Sequence, residues 1–203
     1  MPDTVTTRPR VEGDREQELL EATLAVLAET GYDRLTMDAV AARARASKAT
    51  LYRRWSSKAS LVIEALCSVK DSDQSVPDQG SLRDDLVASF CSEGSITNPE
   101  QLALFSSVLT AMVRDPEFAE AFRRDVLGPK IATQRVVYDR ARERGELRGD
   151  VDVALIGPAL PGILLHRFFV LGEVPDRAAV ERVVDHIILP AVTARPAPSE
   201  GTP

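Results

Sequence analysis

Little in the 203 residues supports covalent or metal-based scaffolding: there are two cysteines, two histidines and one tryptophan, and aromatic residues make up 5%. Cys67 and Cys91 are too few for a disulfide framework, and each falls in an apolar helical pattern where a free thiol packs as a small hydrophobe. His166 and His186 lack metal-spaced partners, no glycine-rich loop follows a strand, and no nucleophile elbow occurs. No metal, no cofactor and no catalytic residues are therefore expected, and the chain does not read as an enzyme. The first residues contain no apolar core of a secretory signal, which gives the expectation of a cytoplasmic protein. The longest apolar stretch, Val153–Leu165, carries Pro158 and Pro161 and falls short of the roughly 20 residues a span needs, so a buried helix and no membrane partner are expected. Net positive charge is missing too. Lys and Arg number 25 against 31 Asp and Glu, a balance of -6 that, taken as one sum, argues against nucleic acid.

What is present is helical periodicity. No run of alternating β-branched residues bounded by turns occurs, so the fold class is all-α, with about nine helices. Polar ends are read as a flexible arm over residues 1–13 and a disordered tail over 196–203. A first helix from about Asp14 to Thr30 carries a stripe of Leu19, Leu20, Thr23, Leu24, Leu27 and Ala28, and Gly31 stops it. Thr36 caps a short helix with Met37, Val40, Ala41 and Ala44 inward, and Ser47 caps a second that reaches Trp55. A fourth helix runs from Lys58 to about Lys70, and the polar stretch from Asp71 to Gly80 follows. Longer helices are expected over about Ser81–Glu93, Pro99–Arg114, Pro116–Glu146, Val153–Leu171 and Asp176–Ala194, with Gly128-Pro129 kinking or splitting the third of these.

Resolved along the chain, the charge reverses its meaning. From Arg34 to Lys58 there are seven cations and one anion, Asp38, a local net charge of +6 that leaves -12 for the remainder. A basic module inside an acidic protein is the footprint of a nucleic-acid reader. Two short helices joined by a tight turn, the second opened by a hydroxyl cap, have the geometry of a helix-turn-helix. At about 100° per residue, Leu51 and Trp55 face the preceding helix, while Ala49, Thr50, Tyr52 and Arg53 face away and Lys48 lies on the flank. Arg and Lys can read guanine edges, and a thymine methyl offers apolar contact to Ala49 or Thr50.

The stretches Gly31-Tyr32-Asp33-Arg34-Leu35-Thr36-Met37-Asp38-Ala39-Val40-Ala41 and Ser47-Lys48-Ala49-Thr50-Leu51-Tyr52-Arg53-Arg54-Trp55-Ser56-Ser57-Lys58-Ala59-Ser60-Leu61 strongly resemble the TetR/AcrR family of bacterial transcriptional repressors. The resemblance covers about residues 14–66. It implies a helix-turn-helix DNA-binding domain over 14–70 and a larger helical regulatory and dimerisation domain over 71–195. It further implies a phosphate contact at Thr36, a capping role for Ser47, major-groove positions for Lys48, Ala49, Thr50, Tyr52 and Arg53, and phosphate grips at Arg54 and Lys58. The family usually has Gly followed by a β-branched residue in the turn, where this chain has Arg45-Ala46. Two arrangements stay open: Arg45 takes a positive φ at some cost and adds a phosphate contact, or the turn is built differently. Ala49 stands in place of a frequent Gly, which favours helix formation.

For the acidic remainder, Ile156, Leu160, Ile163, Leu164, Phe168 and Leu171 line one helix, and Val180, Val183, Val184, Ile187, Ile188 and Ala191 line the next. Such faces can pack within one subunit; the favoured expectation is a homodimer through the last two helices. A two-fold dimer would meet a near-palindromic double-stranded DNA operator. Phe90, Phe105, Leu109, Met112, Phe122, Tyr138 and His166 are the candidate lining of a small-molecule inducer pocket, each with the alternative of a plain core role.

Overall fold

The computed structural model describes residues 9–69, 76–92 and 94–193. Among these the regular secondary structure is helical, apart from one isolated antiparallel bridge between Leu147 and Thr193. The helices are α1 (Pro9–Arg34), α2 (Met37–Arg43), α3 (Lys48–Arg54), α4 (Lys58–Ser68), α5 (Leu82–Phe90), α6 (Pro99–Arg114), α7 (Pro116–Ala121), α8 (Gly128–Glu143), α9 (Val153–Ile156), α10 (Ala159–Leu171), α11 (Arg177–Val183) and α12 (Leu189–Val192). Helix α1 begins at Pro9, so residues 9–13 of the expected arm are helical. Gly31 breaks α1 with φ 73°, leaving one further turn before Thr36. The rest of the expected arm, residues 71–75 and the 196–203 tail lie outside the described residues.

Two wide turns interrupt the longer helices. A π-helical turn over Phe122–Leu127 joins α7 to α8, and another over Val184–Ile188 joins α11 to α12. Each leads into a residue followed by proline, Gly128-Pro129 and Leu189-Pro190. Proline has no N–H for the carbonyl four residues back, so a widened turn ahead of it relieves the mismatch, at Gly128-Pro129 in the place where a kink or split is expected. The carbonyl that Pro129 cannot reach, that of Asp125, instead accepts from the Cys67 thiol at 3.4 Å.

The chain forms two compact units, Met1–Lys70 with Leu102–Gly128, and Asp71–Gln101 with Pro129–Pro203. Residues 102–128, expected in the 71–195 region, thus belong with the amino-terminal segment. The physical reason is aromatic and polar. Phe118 lies 4.3 Å from Tyr32 and 6.0 Å from Phe122 between ring centroids, the Tyr32 hydroxyl donates to Asp115 at 3.2 Å, and Arg114 pairs with Asp33 at 3.1 Å. The core of this first unit gathers Leu19, Leu20 and Leu27 of α1, Val40, Leu51, Trp55, Leu61 and Val62, with Val108, Phe118 and Phe122. Burying side chains of this size supplies about 1.5–3 kcal/mol each. Thr23 is buried by returning its hydroxyl to the Leu19 carbonyl at 2.7 Å; Ala28, read as part of the stripe, is exposed, and Ala22 and Val26 are buried in its place.

The second unit is centred on Leu82 and Leu86 of α5, Val137 and Tyr138 of α8, Leu160 and Leu164 of α10, and Val180, Val184 and Ile188. Its charged lock is Asp85, fully buried, which accepts from the Gln79 amide at 2.5 Å and from Arg144 at 3.1 Å. The expectation of a buried helix after Val153 needs correction. Over Val153–Leu171 the mean hydropathy is 1.7, enough by length and composition for a membrane span, and little of it is buried within the chain. Leu155, Phe169, Val170 and Leu171 are exposed, as are Val174 and Ile187, whereas Val180, Val183, Val184 and Ile188 are consumed by the subunit's own core.

Candidate nucleic-acid interface

The α2–turn–α3 element is built by local hydrogen bonds that its sequence dictates. The Thr36 hydroxyl accepts from the Ala39 amide at 3.1 Å and the Ser47 hydroxyl from the Thr50 amide at 3.1 Å, so both helices start at side-chain caps, a contribution of about 1 kcal/mol each. Between them Arg45 adopts φ 51°, which resolves the two arrangements in favour of a left-handed arginine; it is the one non-glycine with positive φ among the described residues. An L-residue there costs about 1–2 kcal/mol. The Ala46 amide closes the turn on the Ala41 carbonyl at 2.8 Å, and Arg15 of α1 donates to the Ala44 and Arg45 carbonyls at 2.8 and 3.2 Å.

Helix α3 turns Leu51 wholly inward, and Trp55 at its end is buried with its indole N–H on Glu64 at 2.8 Å. Its other face is open: Lys48, Ala49, Tyr52, Arg53 and Arg54 are exposed and Thr50 is half-buried. The cations on this face are held differently. Arg53 and the Arg45 guanidinium have no side-chain partner among the described residues. Lys48 donates to Asp38 at 2.9 Å and lies 5.9 Å from the Tyr52 ring centroid; the hydrogen bond and the charge of Asp38 raise its pKa above the ordinary lysine value. Arg54 pairs with Glu16 and covers the Trp55 ring. Lys58 donates to the Tyr32 carbonyl at 2.9 Å and sits 4.2 Å from that ring's centroid, so a phosphate would have to draw it away. Exposed ion pairs such as Lys48 with Asp38 are weak in water and exchangeable for phosphate.

Arg15, Glu16 and Glu64 escaped the sequence reading, because each acts across a long stretch of chain and none belongs to a local motif.

The seven candidate pocket residues divide between the two units. Phe105, Leu109, Met112 and Phe122 belong to the first unit, where the Phe105 and Phe122 rings lie 6.2 Å apart, and Phe90, Tyr138 and His166 belong to the second. Phe122 is buried core and His166 is exposed. Tyr138 is different: its ring is fully buried, its hydroxyl has no hydrogen-bond partner among the described residues, and burial pushes its pKa up to about 12. A buried hydroxyl left without a partner costs about 1–3 kcal/mol. Two open depressions lie elsewhere in the first unit, one of about 440 Å³ beside Arg15, Glu18, Arg43 and Arg45, the other of about 300 Å³ beside Thr30, Tyr32, Ser107 and Thr110.

Comparison with known proteins agrees with this architecture. Residues 19–65 match the model of bacterial regulatory proteins of the tetR family, and residues 76–187 match the tetracyclin repressor-like C-terminal domain. An HTH-type transcriptional regulator of Mycobacterium bovis is 37% identical over 190 residues, covering 92% of each chain. The DNA-binding transcriptional repressor TetR of Mycobacteroides abscessus is 39% identical over 179 residues, covering 86% of this chain and 92% of that one. A crystal structure of a TetR family transcription regulator superposes with a TM-score of 0.68 at 28% identity, over 86% of this chain and 97% of the other. The capped two-helix element, its basic outward face and these likenesses lead to one conclusion: the chain belongs to the TetR family of DNA-binding transcriptional regulators.

Proposed function

We propose that the protein is a cytoplasmic, homodimeric repressor that reads a near-palindromic operator with α3 and is released from it by a small molecule bound in the second unit. The observation that carries the DNA-reading part is the division of α3, with Leu51 buried and Lys48, Ala49, Tyr52 and Arg53 exposed on a module of net charge +6. Thr36, Arg45, Arg54 and Lys58 flank that face and are assigned to phosphate, Lys58 after leaving Tyr32. No catalytic step enters this reading. Repression is supported by the name of the 39% identical relative.

Dimerisation is supported by Phe169, Val170, Leu171 and Ile187, large apolar residues left exposed on the last two helical stretches, and by Val174 in the connection between them. Large apolar residues left exposed in this number suit an interface, and a second copy of the same helices would cover them isologously. This assigns the interface to residues other than Val180, Val183 and Val184, which the subunit core uses. Ligand release is supported by Tyr138, whose unpaired hydroxyl offers a donor to an occupant of the second unit. Such a ligand must bind the DNA-incompetent state more tightly in order to release the operator.

The test is selection of duplexes from a random-sequence pool by the purified protein, followed by gel shift against a scrambled duplex over a range of salt. Enrichment of an inverted repeat, bound with affinity that falls steeply with salt, is the expected result. Equal affinity for the scrambled duplex would overturn the sequence-specific reading.

A further inference from the structure

We infer that Arg15 and Glu16, neighbours on α1, are positioning residues for DNA reading: they hold the recognition helix at its two ends and set the angle at which α3 meets the groove. This inference rests on the assignment of α3 as the reading helix.

Helix α3 has seven residues, of which Leu51 alone is buried. One buried side chain, with Trp55 just beyond the helix, fixes its depth but leaves rocking about that point weakly opposed. The two ends are instead held by charge. Ahead of the N-cap, the left-handed Arg45 follows Ala44 at φ -80°, ψ 0°, and the two successive carbonyls of Ala44 and Arg45 converge on one guanidinium nitrogen of Arg15, at 2.8 and 3.2 Å. Only the small side chains of Ala44 and Ala46 pack the turn against the core, and on its other side Arg15, Arg43, Ala44 and Arg45 line the open depression of about 440 Å³. At the far end of α3 the next residue of α1, Glu16, takes the guanidinium of Arg54. Helix α1 is anchored in the core through Leu19, Leu20 and Leu27, so its two adjacent charges transmit that rigidity to both ends of α3. Glu29 acts likewise on Arg43 at the end of α2, at 2.6 Å.

The arginine clamp and the left-handed arginine are linked. A glycine at position 45 would hold the turn by itself, and Arg15 would then matter less. The test therefore compares the wild type with Arg15→Ala, Arg45→Gly, the double variant and Glu16→Gln, on the duplex the wild type selects and on a scrambled one. Circular dichroism at 25 °C checks folding. Arg15→Ala is expected to weaken the selected duplex about tenfold, a loss of the size of one or two charge-assisted hydrogen bonds, with less than about twofold effect on the scrambled duplex. Its salt slope stays that of the wild type, because no phosphate contact is lost, while Arg45→Gly lowers the slope by about one. In the Arg45→Gly background the effect of Arg15→Ala shrinks to about threefold or less.

An equal loss in both backgrounds, an equal loss on the scrambled duplex, or a lowered salt slope for Arg15→Ala overturns the inference. Should Arg15→Ala be unfolded, Glu16→Gln decides: about threefold weaker binding at unchanged slope is expected, and unchanged binding overturns the clamp. The failure of the underlying assignment is distinguishable, since Arg53→Ala would then leave the selected duplex unaffected.

Discussion

Asp85, with no exposed surface, meets the Arg144 guanidinium at 3.1 Å, and Arg144 also reaches Glu146 at 2.5 Å. Removing the cation strands a buried carboxylate, and breaking such pairs costs about 3–5 kcal/mol when both partners are buried. Arg144 is partly exposed, so Arg144→Ala is expected to destabilise by roughly 2–4 kcal/mol, discounted for water that reaches it. Asp85→Asn keeps an acceptor for the Gln79 amide and should cost less. Urea unfolding of both variants checks the order; a change below about 0.5 kcal/mol for Arg144→Ala would mean that Asp85 is satisfied elsewhere.

At the interface, Arg53→Ala should weaken the selected duplex by about 1–3 kcal/mol and relax base preference at one position of each half-site. Lys58→Ala should weaken every duplex alike and lower the salt slope by about one. It should also cost about 0.5–1 kcal/mol of fold stability through its lost contact with Tyr32. Titrations of both variants on selected and scrambled duplexes separate base readers from phosphate grips, and indistinguishable behaviour would refute the division.

The phenol of Tyr138 stays protonated in the folded chain to about pH 12, against about 10 for an exposed tyrosine. A folded-state value above the unfolded one contributes stability that is complete below about pH 10 and lost as pH rises from there to about 12. Tyr138→Phe should thus remove part of the alkaline decline. Near pH 7 it deletes an unpaired hydroxyl and should leave stability equal or higher. Urea midpoints near pH 7 and pH 11 test both halves; a clear loss near pH 7 would reveal a partner for the hydroxyl.

The exposed apolar residues give a fourth expectation. Phe169→Asp with Leu171→Asp should convert dimers into monomers in size-exclusion chromatography with light scattering, and weaken operator binding as the two half-sites uncouple. A double variant that remains dimeric would move the interface elsewhere.

Much of the reading element was legible because its determinants are local. Thr36 and Ser47 were recognisable as caps, and the inward turn of Leu51 and Trp55 follows from helical period alone. The left-handed Arg45 could be posed from the sequence as an alternative, since a single φ angle decides it. What was not legible depends on distant partners. Nothing near Arg15 announces that it will meet carbonyls of residues 44 and 45, and nothing in Leu102–Gly128 announces that Phe118 will stack on Tyr32. Periodicity also cannot say which apolar face a subunit keeps for itself: it leaves both the subunit core and a dimer interface open to Val180 and Val184, which lie in the core.

The wide turn at Val184–Ile188 lets this stretch count in fours. Val180, Val184, Ile188 and Val192 are all buried on the second core, yet residues spaced by four in a regular helix drift by about 40° per step, about 120° across the series. One surplus residue in the turn absorbs about 100° of that drift and restores the phase. Losing a single residue from a packed helix ordinarily throws every later side chain onto the wrong face. Here, excision of His186 would close the turn to a regular one and leave Ile188 and Val192 facing inward, so the helix carries its own tolerance for a one-residue deletion.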